Sequence, residues 1–204
     1  MTVLGLWDFL TGPAFLAVAI ATAVLAWPAG RSLARRLDCS RIAAVLYAAT
    51  LGIIAALTLT PNRAGALDPT LPPHFLTQIG RPDVVWDRLT AAPADAEQIA
   101  NILLYFPVGF VGFAVWRSAA RAAWAGAALT VFIETCQYGI IGRAGSLTDI
   151  RNNAAGAVLG AGLAAGTALV LRRARSRRTE PGGGTIGKAD GDTARRADDR
   201  AAVR

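Results

Sequence analysis

The chain has 204 residues, of which 53% are hydrophobic and only 17% charged, with a positive mean hydropathy of +0.40. Soluble domains carry about 25% charged residues, so this composition argues against a soluble globule and for a small membrane bundle. The net charge of +7 is mostly local: residues 172–204 hold ten Lys/Arg against five Asp/Glu, a net +5, and the rest of the chain carries eleven against nine, a net +2.

With no basic face and no interleaved aromatic platform, no nucleic-acid partner is expected. Two separated cysteines, Cys39 and Cys136, and a single histidine, His74, cannot assemble a His/Cys zinc site. No metal, no cofactor and no catalytic residue is expected, which leans away from an enzyme.

Apolar runs near 20 residues predict five transmembrane helices. They are Phe9–Trp27, Ile42–Leu59, Ile99–Trp116, Ala119–Ile141 and Asn153–Leu171. The first lacks a basic segment before it, unlike a cleaved signal peptide. It is followed by PAGRSLARRLDCSR, which carries Arg31, Arg35, Arg36 and Arg41. Arg117 and Arg121 follow the third span, and RRARSRR follows the fifth.

These arginines place three connections on the cytoplasmic side, with the N-terminus out and the C-terminus in. The outer loop, residues 60–98, contains six prolines and is net −2, with a short amphipathic piece expected over Val84–Leu89. The expected architecture is therefore all-α. An integral membrane bundle spans residues 1–171, and residues 172–204 form a disordered basic cytoplasmic tail.

Polar residues interrupt the last three spans in a pattern. In the fourth, Thr130, Glu134, Gln137 and Tyr138 fall at i, i+4, i+7, i+8, one stripe of a helix. In the third, Asn101 and Tyr105 share a face that continues to Gly109. Pro107 withdraws a backbone donor, frees the Leu103 carbonyl and predicts a kink. In the fifth, Asp149, Asn153, Gly156 and Gly160 line one face, the glycines forming a close-packing G-x-x-x-G.

Arg143 precedes that span. The candidate binding cluster is thus Asn101, Tyr105, Glu134, Gln137, Arg143, Asp149 and Asn153, all toward the expected outer face. Two uses fit it. The residues could satisfy one another, with Glu134 paired to Arg143 and the amides joining helices. Alternatively, they could form a polar pocket for a ligand, since intramembrane ionisable groups mark functional sites.

The order Asn101, Pro107, Gly109, then Glu134 and Gln137, then Arg143, Asp149, Asn153 and Gly156 resembles the VanZ-like family. The L-T-L-T-P at Leu57–Pro61 resembles that family's end to its second span, and the likeness covers about residues 45–170. LYFPVG departs from the more aliphatic or Phe-rich run often found there.

The resemblance implies a small multi-pass protein of the bacterial plasma membrane with a cell-envelope role, the name-giving member being linked to teicoplanin resistance. Expected partners are then membrane lipids and a lipid-linked cell-wall precursor or glycopeptide. Arg143 would meet a phosphate or carboxylate, Glu134 and Asp149 would position Arg143 or a ligand amine, and the amides would orient hydroxyls. The alternatives are an intramembrane enzyme acting on a lipid or polyprenyl phosphate, and a proton-coupled transporter using Glu134.

Overall fold

The computed structural model describes residues 3–61, 74–141 and 143–179, with side chains from residue 7 to 176. All regular structure among the described residues is helical. The helices are α1 (Val3–Thr11), α2 (Pro13–Leu37), α3 (Arg41–Leu59), α4 (Pro82–Thr90), α5 (Ala96–Trp116), α6 (Ala119–Cys136) and α7 (Leu147–Thr179). Two 3-10 turns, Phe75–Thr77 and Gln137–Gly139, flank the later helices.

Four helices are long and apolar enough to cross a membrane: Pro13–Leu37, Arg41–Leu59, Ala96–Trp116 and Leu147–Ser176. The expected fourth span, Ala119–Ile141, is divided into the 18-residue α6 and a 3-10 turn, and Arg121 and Glu134 lower its mean hydropathy. Large apolar side chains such as Ile20, Val24, Ile42, Ile53, Leu159 and Leu163 remain exposed along the long helices. Such surfaces suit a lipid solvent, where apolar groups need no shielding from water.

Several boundaries differ from the sequence expectation. The first span does not end at Trp27: α2 runs through Pro28 and takes in Arg31, Arg35 and Arg36, ending where Asp38 adopts the left-handed conformation (φ 48°). The R-S-L-A-R-R-L segment has strong helix formers, and arginine stems can lie along the helix while their heads reach polar surroundings. At the other end, Gly12 separates α1 from α2. Helix α5 passes through Pro107 without interruption.

The last span begins at Leu147, six residues before Asn153, and continues to Thr179, eight residues beyond Leu171. The described residues up to Leu169 belong to one compact unit and those from Val170 on to another. In the second, residues 170–179 are helical, and the expected disorder of 180–204 lies outside the described residues. The amphipathic piece expected over Val84–Leu89 is α4, with Trp86 exposed.

Backbone proximity holds the bundle together. A Cβ on Gly30 would overlap Val45, and one on Gly52 would crowd Thr22, so α2 and α3 pack closely at glycines. The same device joins α5 to α7. A Cβ on Gly156 would overlap the Ile102 carbonyl, one on Gly160 the Phe106 carbonyl, and one on Gly109 the Ala157 carbonyl. The G-x-x-x-G face therefore meets the backbone of α5 on both sides of Pro107. Tyr47, Ile54, Tyr105, Val108, Val115 and Ile133 form the buried core next to these contacts.

Candidate functional site

Polar side chains gather where α3 and α6 end and α7 begins, and helix ends dictate much of the arrangement. The first N–H groups of α7 have no partner within the helix. Ser146 precedes it, and its Oγ accepts from the N–H of Thr148 at 3.1 Å and of Asp149 at 3.4 Å. In an S-x-x-D start of this kind, the acid three residues on ordinarily reaches back to the capping N–H. Here Glu134 of α6 takes that place: its Oε2 accepts from the Ser146 N–H at 2.9 Å.

The carboxylate is 2% exposed and sits at the positive end of α7. Asp149, released from its own cap, accepts from Asn101 Nδ2 on α5 at 2.8 Å.

The C-terminus of α3 is served in the same way, with opposite polarity. Its last carbonyls lack intrahelical donors. Arg143 donates through Nη2 to the Leu57 carbonyl at 2.7 Å and through Nε to the Thr60 carbonyl at 3.1 Å. Gln137 Nε2 donates to the Thr58 carbonyl at 3.2 Å. The guanidinium also lies 5.2 Å from the centre of the Phe9 ring. Burial lowers its pKa, against Glu134 and Glu97, which raise it. A cation at a helix C-terminus is favoured by the dipole, and the L-T-L-T segment supplies the carbonyls it binds.

The expected pairing of Arg143 with Glu134 is therefore not formed. Arg143 turns Nε and Nη2 to α3, and Glu134 turns Oε2 to α7. The remaining members lie one turn deeper. Asn153 Nδ2 of α7 donates to Thr130 Oγ1 of α6 at 3.0 Å, with Asn153 3% exposed. Tyr105 is fully buried beside them, and its hydroxyl has no hydrogen-bond partner; neither has Asn153 Oδ1. Thr130 is the side chain placed towards the Tyr105 hydroxyl, short of hydrogen-bond geometry, while Glu134 and Asp149 act on it electrostatically.

Three helices thus contribute i, i+4 pairs to one place: Asn101 and Tyr105, Thr130 and Glu134, Asp149 and Asn153. Tyr138 leaves the stripe, because α6 gives way to a 3-10 turn after Cys136, and its side chain is exposed.

The sequence reading left out His74 and Ser146. His74 lies at the start of the 3-10 turn Phe75–Thr77, packs edge-on against Tyr138 and is 8% exposed. Its Nδ1 accepts from the Leu76 N–H at 3.2 Å, so the ring proton is on Nε2, which donates to the Glu134 carbonyl at 2.7 Å. The Phe75 N–H donates to the Gly145 carbonyl at 2.8 Å. Gly145 lies so close to His74 and Glu134 that a Cβ there would overlap both. An S-x-x-D before an apolar run was the available signal for Ser146, whereas nothing local to the sequence around His74 announces its docking.

The part of the chain that holds these residues also matches a known family. The VanZ/LLP1 family model matches residues 40–171, more than half the sequence, and the matched region runs from the start of α3 into α7. The chain belongs to the VanZ/LLP1 family. No curated protein and no solved structure matches it. In this VanZ/LLP1 member, the order Leu57–Pro61, Asn101, Glu134, Gln137, Arg143, Asp149 and Asn153 reads as two helix-end caps and one three-helix junction. The match begins at residue 40 and so excludes α1 and α2.

Proposed function

We propose that this VanZ/LLP1-family chain is a non-enzymatic protein of the bacterial plasma membrane whose three-helix polar junction holds the head group of a cell-envelope ligand. A lipid-linked wall precursor and the lipid-proximal part of a teicoplanin-type glycopeptide are the ligand classes that the family resemblance suggests. One observation carries the reading: the fully buried Tyr105 hydroxyl is left without a hydrogen bond beside a second orphan, Asn153 Oδ1. A cluster serving only to join helices would satisfy its own members, since each buried orphan costs about 1–3 kcal/mol.

The arginines of α2, Arg117 with Arg121, and the Arg172–Arg178 run support an orientation with the junction facing out. The test is expression in a susceptible bacterial host, with teicoplanin susceptibility and wall-precursor levels compared between wild type and Glu134→Gln. A changed phenotype in the wild type that the variant loses at equal membrane abundance supports the reading. Equal phenotypes for both would sink it.

A further inference from the structure

The hydrogen-bond inventory of the junction is lopsided. Most of its donors are used inside the protein, the buried exceptions being the Tyr105 hydroxyl and Asn152 Nδ2. Arg143 is engaged by the Leu57 and Thr60 carbonyls, Gln137 by the Thr58 carbonyl, and His74 by the Glu134 carbonyl. Asn101 Nδ2 is engaged by Asp149, and Asn153 Nδ2 by Thr130. Arg151 donates to the Arg88 and Ala91 carbonyls, Gln98 and Asn152.

The acceptors are not used up. Among the described residues, no donor reaches Glu134 Oε1 or Asp149 Oδ2, and Asn153 Oδ1 is buried without a partner. The two carboxylates lie within electrostatic reach of each other and of the Tyr105 hydroxyl. A phosphate offers only acceptor oxygens and would meet two acids, with the Arg143 guanidinium already turned to the carbonyls of α3 through Nε and Nη2. An ammonium group offers three donors and no acceptor, and carries the opposite charge.

We propose that the junction of α5, α6 and α7 binds a primary ammonium group, held by Glu134 and Asp149 with Tyr105 and Asn153, and discriminates against phosphate. The proposal rests on the reading that the junction holds a head group and specifies which chemistry that group presents. The ammonium belongs either to an aminolipid in the bilayer or to a soluble amine, and the two sources share the same recognition. Arg143 is a positioning residue for α3 in this account, not a ligand contact.

The test uses the full chain in nanodiscs of phosphatidylcholine, whose quaternary ammonium has no N–H donor. Phosphatidylethanolamine, phosphatidylglycerol or soluble ethanolamine is added in separate arms, and bound molecules are counted by native mass spectrometry. Phosphatidylethanolamine or ethanolamine is expected to bind at least about tenfold better than phosphatidylglycerol, the magnitude of one hydrogen bond to a charged group. The arm that shows binding identifies the source.

In Glu134→Gln and Asp149→Asn the preference falls toward unity. Tyr105→Phe keeps the packing and removes only an unpartnered hydroxyl, so it should fold at least as stably as wild type while binding the amine more weakly. Preferential binding of phosphatidylglycerol would overturn the ammonium assignment and leave the head-group reading standing. Binding of neither, or amine binding unaltered in all three variants, would overturn both.

Discussion

Glu134 meets two demands at once. Its carboxylate completes the cap of α7 through the Ser146 N–H, and its backbone carbonyl receives His74. A glutamine can keep the first bond through its amide oxygen, whereas alanine leaves the Ser146 N–H buried without a partner. Glu134→Ala should therefore cost about 2–3 kcal/mol of unfolding free energy and Glu134→Gln less than about 1 kcal/mol. Denaturant titration in mild detergent checks the order, and equal losses would refute the capping role.

Which side chains share a face of each helix was legible in the sequence, because helical periodicity fixes it; Ser146 and His74 fall outside that rule. The pairings were not legible, because they depend on what each helix end lacks. Glu134 and Arg143 look like partners by charge, yet each serves a different unsatisfied terminus. His74 could not be read at all, since its acceptor is 60 residues away.

Among the elements, α5 and α7 depend most on small residues. Gly156 and Gly160 stand where any side chain would meet the carbonyls of Ile102 and Phe106, while Gly162, two residues on, has open space around it. Gly156→Ala and Gly160→Ala should each cost about 1–3 kcal/mol through overpacking. Gly162→Ala should be neutral or slightly stabilising, because it gains helix propensity without a clash. Thermal unfolding of the three variants in one detergent separates these outcomes, and equal shifts would contradict the packing.

The G-x-x-x-G face could be read in advance, and the four long apolar helices lie among the five spans expected, since length and small-residue spacing are local properties; Ala119–Ile141 is the span that falls short. The extension of α2 through Pro28 and Arg31–Arg36 was hidden. A cluster of arginines marks a polar boundary but does not itself end a helix, and Pro28 removes only one hydrogen bond. Helix α5 gives the same lesson at Pro107.

At the scale of the molecule, charge predicts topology even though helix ends shift. With α2 reaching Leu37, the basic residues Arg31, Arg35 and Arg36 ride on a helix instead of a loop, but they stay at the same end of it. An outward N-terminus and an inward C-terminus make a direct prediction. In a background with Cys39 and Cys136 replaced by alanine, a cysteine at Gly80 should react with a membrane-impermeant maleimide in intact cells. One at Ser176 should react only after lysis, and the reverse labelling would overturn the orientation.

The docking of His74 has a further consequence, for biosynthesis. The His74 ring and the Phe75 N–H bind carbonyls of Glu134 and Gly145, groups that leave the ribosome 60 to 70 residues later. The earlier segment therefore cannot reach its final seat until α6 and the turn after it have emerged. In this protein the connection between the second and third long helices is fastened by a part of the chain synthesised after both.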